Sequence, residues 1–272
     1  MRNAAVDMNR EPGSTSPALG RGVLIVNADD WGRDEETTQK TLECIQHGAV
    51  SSVSAMVFME DSERAAAVAQ HFRVDAGLHL NFTTPFSMRG CPSKLIEHQE
   101  RLAAYLRPKR YAQAVYHPGL ANSFQYVVAA QLEQFFQFYG TAPDRIDGHH
   151  HMHLCANVLL GNLLPEGTMV RRNFSFSAGE KSMGNRLYRK VVDGMLARKH
   201  RLTDLFFSLP PLEPRTRLER IFTAANEQVV ELETHPINAL EYQFLAGGEI
   251  FRWTDTGRIR SFRSLRSGPA AN

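Results

Sequence analysis

With 272 residues, 43% apolar content and a formal charge of +2, the chain can bury a sizeable core and has no electrostatic bias toward nucleic acid. Three scattered cysteines, Cys44, Cys91 and Cys155, suit a reducing compartment and argue against a disulfide framework or a cysteine-based metal knuckle. No apolar run approaches eighteen residues and the N-terminus lacks a signal peptide's apolar core, so a cytoplasmic protein that does not span a membrane is expected.

Residues 1–22 are small and polar and read as a flexible tail, leaving 23–272 as one domain. Val23-Leu24-Ile25-Val26 has the continuous apolar character of a strand buried on both faces, and Asn27 to Gly32 reads as the polar turn that ends it. A helix is expected from Asp34 to His47, stopped by Gly48. Ser54–Phe58 follows as a strand, Ser62–Phe72 as an alanine-rich helix, and Asp75–Asn81 as a third strand. That is the βαβ rhythm of a parallel sheet.

Residues 82–118 interrupt it with five prolines and glycines and read as an inserted, substrate-facing loop. The pattern resumes with a helix from Ser123 to Tyr139, a strand at Arg145-Ile146-Asp147 and a helix from Ala156 to Leu164. A fifth strand at Thr168–Arg171, a basic helix from about Gly184 to His200 and a strand at Leu205-Phe206-Phe207 come next. A helix at Arg215–Ala225 and a seventh strand at Val229–Thr234 complete the series. The expected fold is α/β, a distorted TIM-like (β/α) barrel of about seven parallel strands.

Chemistry concentrates at Asp147-Gly148-His149-His150-His151-Met152-His153, where four histidines fall within five positions. Imidazole is the commonest zinc ligand, and a nearby carboxylate often orients it. His149 and His153 are also spaced for one face of a helix, but the glutamate of helical zinc motifs is replaced by His150. Spacing alone therefore leaves open which histidine binds.

In parallel barrels the C-terminal strand ends carry the active site. Here those ends offer Asp29 and Asp30, His79, Asp147 with His149, Arg171 and His235, while the second and sixth strands offer nothing evident. Each has a bland alternative. The aspartates suit a helix cap, His79 a bonded core residue, and Arg171 and Arg172 surface charges. Strand alternation also separates adjacent side chains, so Asp29 and Asp30 are expected to do different jobs. Glu231, Glu233 and His235 share parity, so a carboxylate can reach the imidazole. Two imidazoles and a carboxylate make an open site for one divalent ion, zinc first, with magnesium, cobalt or manganese as alternatives. A free carboxylate as base and a histidine as acid would complete an amide hydrolase.

Val26-Asn27-Ala28-Asp29-Asp30-Trp31-Gly32, Gly77-Leu78-His79-Leu80, the histidine cluster and Glu231-Leu232-Glu233-Thr234-His235-Pro236 resemble the signature segments of the YdjC-like carbohydrate deacetylases. The resemblance implies a distorted barrel that removes acetyl from an N-acetylated mono- or oligosaccharide. It makes Asp30, His79 and His149 the metal ligands, Asp29 the general base, His235 the general acid and Arg171 the residue that orients Asp29. Trp31, Gly148, Ile237 and the additional acid Glu233 depart from the family pattern, which bears on substrate choice rather than on chemistry. A metal-dependent hydrolase of a phosphoester or cyclic amide, or a non-catalytic metal-binding protein, are the competing readings. The absence of histidine from Val23 to Gly32 counts against the first, and the presence of Asp29 and His235 against the second.

Two basic stretches remain, Arg186 to Arg201 and Arg258, Arg260, Arg263 and Arg266. They read as solvated faces, or as contacts for a sugar carried on a nucleotide or lipid diphosphate, the latter at a membrane surface. A homo-oligomer is compatible with all of this.

Overall fold

The structure, a computed structural model, describes residues 22–108, 111–176 and 179–265. The expected tail therefore lies outside the described residues except for Gly22, and so does Arg266.

The chain alternates strand and helix: β1 (Val23–Trp31), α1 (Glu35–Gln46), β2 (Ser52–Ala55), α2 (Ser62–His71) and β3 (Ala76–Leu80). Then come α3 (Ser93–Leu106), α4 (Ala121–Tyr139), β4 (Arg145–Gly148), α5 (Ala156–Leu160) and β5 (Met169–Val170). The last third holds α6 (Met183–Leu196), β6 (Leu205–Ser208), α7 (Arg215–Ala224), β7 (Val229–Thr234) and α8 (Ala239–Ala246). The strands form one seven-stranded sheet in the order β5-β4-β3-β2-β1-β7-β6, with every pairing parallel. Because β5 and β6 do not pair, the sheet curls into a half-barrel and does not close.

Alternation along β1 sorts its side chains between two surfaces. Leu24, Val26 and Ala28 join the main core beneath the helices, whereas Ile25 packs with Met169 and Phe262 in a smaller cluster. Phe262 belongs to the C-terminal segment, which runs past the N-terminal strand ends: the Arg260 amide donates to the Leu24 carbonyl at 2.9 Å. Arg145, at the start of β4, lies with its guanidinium 4.3 Å from the Phe262 ring centre. The tail thus closes the end of the half-barrel opposite the strands' C-terminal rim.

Several boundaries differ from expectation for identifiable reasons. β1 continues five residues past Val26, and the buried Asn27 amide group is held there by donating to Asp29 (2.8 Å) and Ser54 (2.7 Å). Asp34 caps α1 by accepting from the Thr37 amide at 2.7 Å, which leaves Asp29 and Asp30 free of that duty. The segment 82–118 is not loop throughout. It contains α3, an amphipathic helix burying Leu95, Leu102 and Leu106. α5 stops at Leu160 and α6 at Leu196, each four residues short of the expected end. No helix among the described residues is long and apolar enough to cross a membrane.

Gly77 on β3 is required by its neighbour. A β-carbon there would lie 2.7 Å from Arg145 Cζ and 2.9 Å from the Arg145 carbonyl oxygen. Arg145 cannot retreat, because it donates to the Val53 carbonyl (2.6 Å) and the Ser54 hydroxyl (3.0 Å). Gly77→Ala is expected to lower stability by about 1–3 kcal/mol, the usual cost of overpacking, measured as a lower urea midpoint.

Candidate active site

Asp29 and Asp30 close β1, and the backbone between them breaks the strand rule. Asp30 adopts a left-handed conformation, φ 65°, and the pairing with β2 shifts register between Ala28 and Trp31. Aspartate is among the few residues that tolerate this conformation. The twist turns Asp30 toward the same cluster as Asp29, so two adjacent carboxylates share one site, both facing His79 Nε2 (3.8 and 3.4 Å) but otherwise with different partners. Both are buried, at 2% exposure.

Asp30 meets two imidazoles. Its Oδ1 lies 2.9 Å from His149 Nδ1 and 3.4 Å from His79 Nε2. His79 sits directly across from Asp147 in the β3–β4 register and places Nδ1 2.7 Å from Asp147 Oδ1. Asp147 thereby fixes the ring with Nε2 toward Asp30, the carboxylate–imidazole arrangement that would aim the histidine at a bound ion. One ligand atom each from Asp30, His79 and His149 falls within 4.8 Å of the others. Two imidazole nitrogens and a carboxylate oxygen, convergent and buried, are a suitable donor set for a divalent cation.

The other histidines of the cluster point elsewhere. His150 and His151 are both left-handed, φ 55° and 56°, so the stretch His149–Leu154 is a kinked 3-10 turn rather than a helix. Consequently His150 Nδ1 reaches the Thr83 hydroxyl at 3.0 Å, and His151 Nε2 lies 3.8 Å from Glu233. His153 Nε2 donates to the Arg171 carbonyl at 2.9 Å. The open question of which histidine faces Asp30 is thus resolved in favour of His149, and the helical i, i+4 alternative with His153 is excluded.

Arg171 is fully buried, just beyond β5, and binds three carboxylates. Its two terminal nitrogens hold Asp29 at 2.6 and 2.7 Å, Nη2 lies 3.0 Å from Asp147, and Nε donates to Glu231 at 2.7 Å. The Phe206 ring packs against its guanidinium at 4.9 Å. Arg172 faces outward and pairs with Asp193 at 3.0 Å. Burial alone would raise the Asp29 pKa, but Arg171 and His79 outweigh it and hold the group at about 2. Burial likewise opposes ionisation of Asp30 and Asp147, and their histidine and arginine partners drive both well below the ordinary carboxylate range. His79 goes the other way: burial lowers it, yet Asp29 and Asp147 push it up to about 10. The cluster therefore attracts positive charge at the point where the ligand atoms meet.

His235, after β7, is partly exposed. Its Nε2 lies 3.7 Å from Glu233, and together with Asp29 these groups fall within 4.8 Å of one another. Burial, and then the neighbouring Asp29, raise the Glu233 pKa well above the carboxylate range. Ser54 of β2 was not evident as a site residue, yet its hydroxyl donates to Asp147 at 2.5 Å. Its inward parity with Ser52 was the available signal. Phe206, on β6, carries no sequence signal of its role, because an apolar residue announces no chemistry.

Beside His150 and His151 opens a cavity of about 640 Å³, bordered also by Tyr111, Arg172, Phe174 and Tyr188. Part of the 82–118 segment, Tyr111 to Ala114, does line it. The described C-terminal arginines, Arg258, Arg260 and Arg263, do not. Arg258 bonds Asn226, and Arg263 pairs with Asp75 at 3.4 Å, both near the N-terminal strand ends. Their expected contact with a diphosphate-bearing substrate at this rim is therefore set aside.

The description of YdjC-like proteins matches residues 23–248, well over half the chain. The chain belongs to the YdjC-like family. It is 33% identical over 133 residues to a chitooligosaccharide deacetylase of Serratia marcescens, covering 48% of this chain and 51% of that one. It is 35% identical over 135 residues to a carbohydrate deacetylase of Geobacillus stearothermophilus, covering 49% and 51%. A carbohydrate deacetylase of Clostridium beijerinckii aligns at 24% over 216 residues, 78% of this chain and 80% of that one. The match spans about half the length of the first two relatives. Among solved structures, a "putative cellobiose-phosphate cleavage protein" of Enterococcus faecalis superposes with a TM-score of 0.62 at 18% identity. That match covers 89% of this chain and 98% of the other, and it supports the barrel-like α/β fold.

Two measurements test the electrostatics of the site. Arg171→Met leaves three buried carboxylates without their cation and is expected to cost about 3–5 kcal/mol in urea unfolding. His153 is neutral in the fold, because burial first and foremost lowers its pKa from 6.5 to about 4. The unfolded chain then binds the extra proton between those values, so stability falls as pH drops from 6.5 toward 4. Relative to His153→Gln, the native protein should lose about 3 kcal/mol across that window, from ~1.4 kcal/mol per pKa unit. A stability difference that stays constant with pH would contradict it.

Proposed function

We propose that the protein is a metal-dependent carbohydrate N-deacetylase, releasing acetate from an N-acetylated mono- or oligosaccharide. The observation that carries this reading is the convergence of Asp30, His79 and His149 beside an ionised carboxylate and a partly exposed histidine. The deacetylase names of the relatives support it at the level of substrate class. A divalent ion held by Asp30, His79 and His149 supplies Lewis acidity, polarising the acetyl carbonyl and lowering the pKa of water to about 7. The imidazole content favours zinc over magnesium, cobalt or manganese.

Asp29 takes the proton of the attacking water. Arg171 keeps its carboxylate ionised and fixes its plane through the two-pronged contact at 2.6 and 2.7 Å. Asp147 anchors His79 from behind and keeps its Nε2 aimed at Asp30. His235, across the cluster, delivers a proton to the departing sugar amine, with Glu233 beside its Nε2 at 3.7 Å. The adjoining cavity is lined by the aromatic side chains of Phe174 and Tyr188, suited to a sugar ring, with Arg172 and Asn173 as polar borders.

Acetate release from N-acetylglucosamine oligomers should cease on chelation and return with added zinc. Asp29→Asn should reduce kcat by about 10²–10⁴, the usual contribution of a positioned base, with little change in KM. Full activity in the chelated protein, or in Asp29→Asn, would overturn the assignment.

A further inference from the structure

α6 carries an apolar stripe on its solvent side. Met183, Leu187 and Val191, at i, i+4 and i+8, are 85%, 64% and 54% exposed. The core side of the same helix is already satisfied by buried Val192 and Leu196. Of the eleven large hydrophobic residues exposed among the described residues, seven lie on α6 or in the segment 111–116. Both segments border one cavity, through Tyr188 and Tyr111. Clustered exposed apolar surface of this kind marks an interaction site rather than random scatter.

The charge beside the stripe selects the partner. Residues 181–192 contain four cations, Lys181, Arg186, Arg189 and Lys190, and no acid. Arg186 and Lys190 are exposed and flank the stripe on the helix surface. The nearest acids are engaged elsewhere: Glu180 accepts from Arg220 at 2.9 Å, and Asp193 from Arg172 at 3.0 Å. A second copy binding through this stripe across a two-fold axis would set Arg186 and Lys190 near their own counterparts. Apolar side chains that insert, flanked by cations that meet headgroups, are the pattern of a helix lying in a lipid interface.

We propose that the outer face of α6 docks on an anionic lipid surface, with Met183, Leu187 and Val191 inserted and Arg186 and Lys190 on the headgroups. Docked in this way, the cavity beside His150 and His151 borders the lipid.

The full chain is sedimented with phosphatidylcholine vesicles, with and without about one third phosphatidylglycerol. Binding is expected only with the anionic lipid, and raising salt from about 0.1 to 0.5 M should weaken it. Leu187→Ser plus Val191→Ser, and separately Arg186→Glu plus Lys190→Glu, should each reduce the bound fraction by on the order of tenfold. Neither pair touches the catalytic cluster, so thermal unfolding and acetate release from a soluble oligosaccharide should match wild type. No binding, binding equal on neutral vesicles, or binding unchanged in both variants would overturn the proposal. So would a concentration-dependent dimer in light scattering that Leu187→Ser plus Val191→Ser abolishes, since that assigns the stripe to a second copy.

Discussion

The Arg171 guanidinium is the point on which the C-terminal rim of the half-barrel depends. It enters just beyond β5 and binds carboxylates from β1, β4 and β7. β5 and β6 do not pair, and the edges are joined by scattered backbone bonds such as Val170 to Arg201 (2.9 Å) and Ser175 to Phe206 (2.8 Å). A buried cation shared among three strands does part of that work, and its own desolvation is offset by having three acids within 3.0 Å. The same contact sets the chemistry, because whatever fixes Asp29 also keeps it ionised.

From that anchor the polar interior is layered. Ile25, Met169 and Phe262 fill the N-terminal end, Arg145 crosses the space that Gly77 leaves open, and Ser54 and Asp147 hand the network upward to His79. At the rim, two departures from regular backbone aim the functional groups. The left-handed turn at Asp30 brings neighbouring carboxylates to one place, and the left-handed pair at His150 and His151 turns those rings away from Asp30. Strained or unusual backbone is often found at functional sites, where tertiary contacts over-determine it.

These departures mark what could be read from sequence and what could not. Strand order and class were legible, because short apolar runs alternate with amphipathic helices and the parallel sheet requires little else. The ionisable strand ends were legible for the same reason. Alternation separated the tasks of Asp29 and Asp30, but it could not bring them to one cluster, since that rests on the left-handed turn at Asp30. The direction of each ring in the histidine cluster was illegible, as it rests on two φ angles that no spacing rule encodes. The helix α3 was hidden because the prolines and glycines around it, Pro85, Gly90, Pro92 and Pro108, dominate that stretch.

Metal content is the most direct measure of whether the rim is built as described. Mass spectrometry of the purified protein should find one equivalent of divalent ion per chain. His79→Ala and His149→Ala should each lose it, while Asp29→Asn should keep it, because in the proposed arrangement both Asp29 oxygens are taken by Arg171 and the ion is held by Asp30, His79 and His149. Loss of the ion in Asp29→Asn together with its retention in His79→Ala and His149→Ala would contradict the arrangement.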